Sequence, residues 1–390
     1  MPRHAPLRPS RSRAPSAGRP ALGRALLAGL ALALLLAGCA SQPRQPYQPH
    51  PVFPAPPDPP RFVFERSLRS SEDLSPPGTL DRLRRFAVGG PAEVVGLVKP
   101  YGVAARPGRV YVTDTVQRAV VLFDLERGRV RLLGTEGPGA LAKPIGITLG
   151  PGGEVYVADA EARRVRVYDA DGHHLRDIGG AELLRRPVGV ALSPDGGTLY
   201  VVDVGGVDNR DHRVQVFDAR SGRHLRTIGT RGTAPGQFNL PLQADTAPDG
   251  TLYVVDGGNF RVQAFSPQGR FLRAFGELGR YPGQFARPKG IAVDPAGRVY
   301  VVDAAFGNFQ IFDPQGRLLL FIGQRGSSGG PAVYMLPAGI DVDRRGWIYV
   351  VDQFFRKVDV YRPVHPETAV TERPSSQASK AASSRGRAKR

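Results

Sequence analysis

Six aspartates are the residues whose spacing first suggests chemistry. Each ends a Tyr-Val-x-Asp phrase, at Asp114, Asp159, Asp203, Asp256, Asp303 and Asp352, and neighbours stand 45, 44, 53, 47 and 49 residues apart. Carboxylates can trade protons or ligate hard cations. A residue present in every unit of a repeat, however, serves what every unit needs. A basic residue also follows several of them: Arg164 after Asp159, Arg213 after Asp203, Arg261 after Asp256 and Lys357 after Asp352. Ion pairs within a unit and turn hydrogen bonds are therefore expected. Of seven histidines, His173, His174 and His224 fall at or just after turns and His212 in a connection, a scatter unlike a metal-ligand set. The chain has no Ser-His-Asp arrangement at a suggestive spacing, no phosphate-binding glycine loop and no haem attachment motif. No catalytic residue, metal ligand or cofactor is expected.

The single cysteine, Cys39, is the other reactive group. One thiol permits no intramolecular disulfide and no multi-thiolate metal site. Residues 1–24 carry six arginines and no acid, and an apolar run follows from Ala25 to Gly38. That run is shorter than the roughly 20 residues a membrane span needs, and the combination reads as an export signal. Leu36-Ala37-Gly38-Cys39 resembles the lipobox of bacterial lipoproteins. The resemblance implies that 1–38 is a cleaved signal peptide and that Cys39 carries fatty acyl chains such as palmitate. It also implies the outer membrane, because Ala40 stands where an Asp would mark inner-membrane retention; the domain would face the periplasm or the exterior.

Residues 39–60 carry proline at nearly every second or third place, the composition of an extended linker. Residues 364–390 are rich in Ser, Ala, Arg and Lys without apolar period, and read as a disordered basic tail. The formal charge is +18; setting aside +6 in 1–38 and +4 in the tail leaves +8 for the rest. Export argues against nucleic acid and favours anionic headgroups, acidic glycans or acidic proteins as partners.

Between these flanks lies a domain of 61–363, and within it one phrase recurs six times from Lys99 to Tyr361. About ten residues before each Tyr of the Tyr-Val-x-Asp phrase stands a proline (100, 144, 187, 241, 288 and 337), and glycine follows two places later in five of the six. After each Asp come another alternating apolar segment, commonly a Gly-containing turn, and a last short one, such as Phe271-Leu-Arg-Ala-Phe275. Four strand-like segments at a period in the forties predict an all-β, six-bladed β-propeller of four-stranded antiparallel blades. Phe285-Ala-Arg-Pro-Lys-Gly-Ile-Ala-Val-Asp-Pro-Ala-Gly-Arg-Val-Tyr-Val-Val-Asp303 resembles the consensus of the NHL-repeat propellers, and Asp211-His212-Arg213 resembles the stretch that names them. That family includes binders, scaffolds and enzymes, so the likeness implies fold more than function. Propeller lactonases hold a central divalent cation with carboxylates and Asn. Asp245, Asp294 and Asp341 are the nearest counterparts, and Asp294 and Asp341 are expected to form turns, as the consensus implies.

The sixth unit ends near Tyr361 without a fourth strand. The alternating segment 61–68 is expected to supply it by pairing with 358–361, closing the ring; 79–88 has the spacing of a short helix. Function is sought where the repeat breaks. The third unit inserts 204–211, with Asp208 and Asn209 as polar loop residues. The fourth has Gln243 in place of glycine. Cations precede the proline in four units, at Lys99, Lys143, Arg186 and Arg287, with Lys289 beside the last, and Phe306, Phe354 and Phe355 occupy second-to-third-strand connections. Cations and aromatics on one face suit a protein interface. The expected function is a lipid-anchored, non-catalytic binding or scaffold propeller of the cell envelope. It would engage a protein or anionic glycan through one face. The alternative is a metal-dependent lyase or lactonase-like enzyme with its site in the central channel.

Overall fold

The computed structural model describes residues 50–74, 94–205 and 211–364. Cys39, residues 39–49 of the linker, the 79–88 segment, Asp208, Asn209 and the tail from 365 onward lie outside the described residues.

The first sheet runs from the inside out as Pro100–Arg106, Arg109–Asp114, Ala119–Asp124 and Arg129–Leu133, each strand antiparallel to the last. Four further sheets of the same order occupy 144–178, 187–228, 241–275 and 288–322. The first strands of all six sheets touch in a closed cycle, so the blades surround a channel. The sixth blade is built from Pro337–Val342, Ile348–Asp352 and Lys357–Pro363, and its outer strand is Phe62–Leu68. That strand pairs antiparallel with the third, Phe64 opposite Tyr361 and Leu68 opposite Val358, which is the closure expected from the sequence. A two-residue strand, Val52–Phe53, lies outside it, and the Phe53 ring meets Tyr361 edge-on at 5.8 Å. The last part of the proline-rich segment thus belongs to the sixth blade, because its one Val-Phe pair finds an apolar face to cover.

The apolar residues do not form one core. Each of the six buried clusters lies mainly between two neighbouring blades. Alternation along the second strand explains this. Tyr111 packs against the second blade while Val112 packs against the sixth, and Tyr349 and Val350 likewise face opposite neighbours. A strand apolar on both faces is stable only when covered on both faces, and the ring provides that. The tyrosine hydroxyls tie blades together too, as Tyr111 Oη donates to Ala170 O of the second blade at 3.0 Å.

The glycine two places after each proline marks where inner strands nearly touch. A Cβ on Gly290 would lie 2.5 Å from Ala338 O, and one on Gly339 would lie 2.5 Å from Tyr101 O. Gln243 replaces this glycine in the fourth blade; its side-chain amide donates to Val188 O of the third blade at 2.8 Å.

Candidate binding face

The repeated aspartates hold the scaffold. Asp114 Oδ2 accepts from the amides of Val98 and Lys99, while Oδ1 accepts from Val116 and Gln117. The same carboxylate position pins Ala142 and Lys143 in the second blade, Arg185 and Arg186 in the third, Ala286 and Arg287 in the fifth, and Met335 and Leu336 in the sixth. In the first, second, fifth and sixth blades one buried carboxylate thereby satisfies amides of both the segment entering the inner strand and the connection after the second strand, groups that no sheet pairs. The fourth blade differs: Asp256 takes Asn239 N, and Leu240 N donates to His212 Nδ1 at 3.1 Å. His212 is buried, and burial holds its imidazole below its usual range.

Two of the four anticipated ion pairs form, Asp203 with Arg213 at 3.2 Å and Asp256 with Arg261 at 2.9 Å. The other two are corrected. Arg164 reaches outward to Asp177 at 2.8 Å, and Arg166 instead approaches Asp159 at 3.5 Å. Lys357 is fully buried and pairs with Asp359 at 2.7 Å. Asp359 also accepts from Ser67 Oγ of the closing strand at 2.6 Å, so this carboxylate joins the two chain segments of the sixth blade. Among the remaining histidines, His173 meets Asp169, His174 meets Asp177 and His224 meets Gln215, all toward the outer strands.

With every aspartate of the repeat so committed, the side chains it positions become the points of interest. Lys99, Lys143, Arg186 and Arg287 each directly precede an inner strand, and all four side chains are exposed. Their carbonyls accept from the amides of Thr115, Ala160, Val204 and Ala304, each the residue after the repeated aspartate of the second strand. The cations and the second-to-third-strand connections therefore share one face of the ring. None of the four cations is within 4.0 Å of a carboxylate among the described residues. Phe306, Phe354 and Phe355 stand on the same face. Phe354 is exposed and meets Phe355 edge-on at 5.1 Å, Phe355 is half-buried against Gly329, and Phe306 lines a groove of about 210 Å³ with Tyr281 and Phe321. Lys289 sits one residue inside the inner strand. Its Nζ lies 5.8 Å from the Tyr101 ring centroid.

The channel has a different character toward the opposite face. A cavity of about 510 Å³ opens there, and Asp245, Asp341, Gln243, Thr148 and Ser193 are among its lining residues. Asp294 forms a turn as expected, accepting from Ala296 and Arg298 amides. Asp341 does not: its turn role belongs to Asp343, which accepts from Arg345 and Trp347 amides, and Asp341 stands two residues earlier on the channel wall. Asp341 and Asp245 occupy equivalent places, four residues after Pro337 and Pro241. Each reaches the next blade, Asp341 to Ala105 N at 2.6 Å and Asp245 to Val293 N at 2.7 Å. Burial is the main cause that raises Asp245 to about 6 and Asp341 to about 7, the charge of Asp245 adding to the latter. The alignment of inner strands on their prolines was the signal that could have separated Asp341 from the turn aspartates. Among the described residues no group of three His, Cys, Asp or Glu side chains is disposed to hold a metal ion.

The NHL repeat model matches residues 141–168, 184–217 and 285–312. Human E3 ubiquitin-protein ligase NHLRC1 is 34% identical over 125 residues, which are 31% of this chain and 28% of that protein, so the chain spans well under half of that relative. A Bacteroides thetaiotaomicron structural genomics protein of unknown function superposes with a TM-score of 0.55 at 21% identity, covering 70% of this chain and 71% of that one. A Xanthomonas campestris gluconolactonase gives 0.53 at 18% identity, covering 82% and 99%. At such identities the solved structures speak to fold alone. Sheet topology and matched repeats together show that the chain is a six-bladed β-propeller carrying NHL repeats.

Proposed function

We propose that this chain is a lipid-anchored, non-catalytic binding propeller of the bacterial cell envelope. It holds an acidic protein partner, or an anionic glycan, against the face that bears Lys99, Lys143, Arg186 and Arg287. One observation carries the reading: four blades place an exposed cation at the same position on the same face, pinned through its backbone amide and without a carboxylate partner among the described residues. A rigid ring of like charges around a channel attracts and orients an acidic surface. Phe354 and Phe306 supply apolar contact beside it. Anchoring through Cys39 is supported by the leader and the lipobox resemblance.

The test is affinity purification with cross-linking from envelope preparations, comparing the natural chain with one in which the four cations are changed to Glu. The expected result is a partner lost on charge reversal and released from the natural chain by salt. Retention of the same partners with the same salt dependence refutes the role of this face. The second reading is a metal-dependent lyase or lactonase-like enzyme. The cavity holding Asp245 and Asp341 favours it, and one tightly held divalent ion per purified chain would support it.

A further inference from the structure

The position one residue after the repeated proline is occupied by Tyr101, Ile145, Val188, Leu242, Lys289 and Ala338. Five blades place no charge there, and the fifth places an ammonium. Lys289 is half-buried at the mouth of the channel, and no carboxylate lies within 4.0 Å of it among the described residues. The opposite charge acting on it is Asp352, already committed to the amides of Met335, Leu336 and Phe355; the other charge acting on it is the like charge of Arg287. Beside it stands Tyr101, whose phenol feels both Arg186 and Arg287 although they belong to different blades. Lys289 Nζ thus stands against the Tyr101 ring, and among the described residues the charges acting on the two groups are the cations Arg186 and Arg287 and the otherwise engaged Asp352. Leaving a desolvated ammonium unpaired is costly, and a small anion seated there removes that cost.

We propose that Lys289, Arg186 and Arg287 form a pocket beside Tyr101 that receives one carboxylate of the partner's acidic side chains. The proposal rests on the reading of this face as a binding face, and it assigns the central contact to Lys289. The exposed cations Lys99 and Lys143 then guide the approach from the rim. A planar phenol against the lysine stem orients the ammonium, while the two guanidinium groups offer charge-assisted hydrogen bonds.

Competitive amine acetylation of the full chain, read peptide by peptide in a mass spectrometer, tests the pocket without any variant. Burial and Arg287 bring Lys289 to about 8 from 10.5, so near neutral pH its reactive amine fraction exceeds that of an ordinary lysine by on the order of a hundredfold. Succinate is expected to slow acetylation of Lys289 about tenfold relative to succinamide and to leave Lys143 unchanged. Equal labelling of Lys289 in succinate and succinamide overturns the proposal. Lys289→Leu places the residue that the fourth blade already uses at this position, and is expected to weaken binding of a glutamate decapeptide about tenfold; unchanged binding also overturns it. Changing Lys99 and Lys143 to Glu separates this inference from the broader one. Protection by succinate should persist while partner capture falls. A chain that captures no partner yet shows succinate protection keeps the pocket and loses the proposed function.

Discussion

Removing residues 61–68 is the sharpest test of how the ring is held. Phe62, Val63, Phe64 and Leu68 are buried in that strand, Leu68 completely; Phe62 and Phe64 pack into the cluster on one side of the sixth blade and Leu68 into the cluster on the other. At about 1.5–3 kcal/mol for each fully buried apolar side chain, their loss removes about 6–12 kcal/mol. The ladder to Lys357–Pro363 and the Ser67 hydrogen bond to Asp359 go with it. That sum is comparable to the whole stability of an ordinary domain, about 5–15 kcal/mol. The truncated chain should therefore melt far below the natural one or fail to fold. Thermal unfolding gives the first reading and hydrogen exchange the second, with amides of 358–361 losing protection before those of the third blade. A synthetic 61–68 peptide added in excess should restore part of the protection. A melting temperature within about 2 °C of the natural chain, or full protection at 358–361, would refute the closure.

Two further outcomes follow from buried charge. Asp341 has a raised pKa, about 7 against a usual value near 4, so the folded state holds its proton more tightly than the unfolded state. By linkage its contribution is most favourable below pH 4 and is lost as pH rises toward 7. Asp341→Asn keeps an acceptor for Ala105 N and removes this loss. The variant should gain about 1–3 kcal/mol over the natural chain between pH 4 and 7 in denaturant titrations, and a constant difference across that range would count against the assignment. Asp359→Asn leaves the buried Lys357 without its counter-charge at 2.7 Å, which should cost about 3–5 kcal/mol. A loss below about 1 kcal/mol would mean that the pair behaves as though solvated.

The repeat made most of the fold legible. Period-two alternation within strands and a period in the forties between them define blades that cannot shield themselves singly, and the missing fourth strand of the last blade pointed to 61–68. The cations were legible too, because each stands at the same offset from a proline. What the chain could not show by spacing is which side chains meet across a blade boundary. Lys357 and Asp352 face each other in the ladder, yet the ammonium turns to Asp359 and Gly330 O, partners in a pocket completed by the chain around Tyr334 and by Ser67 of the far terminus.

Sequence alone determined the number of blades, their strand order, the closure and the recurring position of the cations before the repeated prolines, since each of these follows from local alternation and turn chemistry repeated along the chain. Tertiary structure alone decided that Asp341 lines the channel while Asp343 makes the turn, and that Lys289 lies against Tyr101 from a blade nearly 190 residues away in sequence. Those outcomes depend on how closely neighbouring inner strands approach and on where a closed ring brings its first and fifth blades, distances that no single repeat contains.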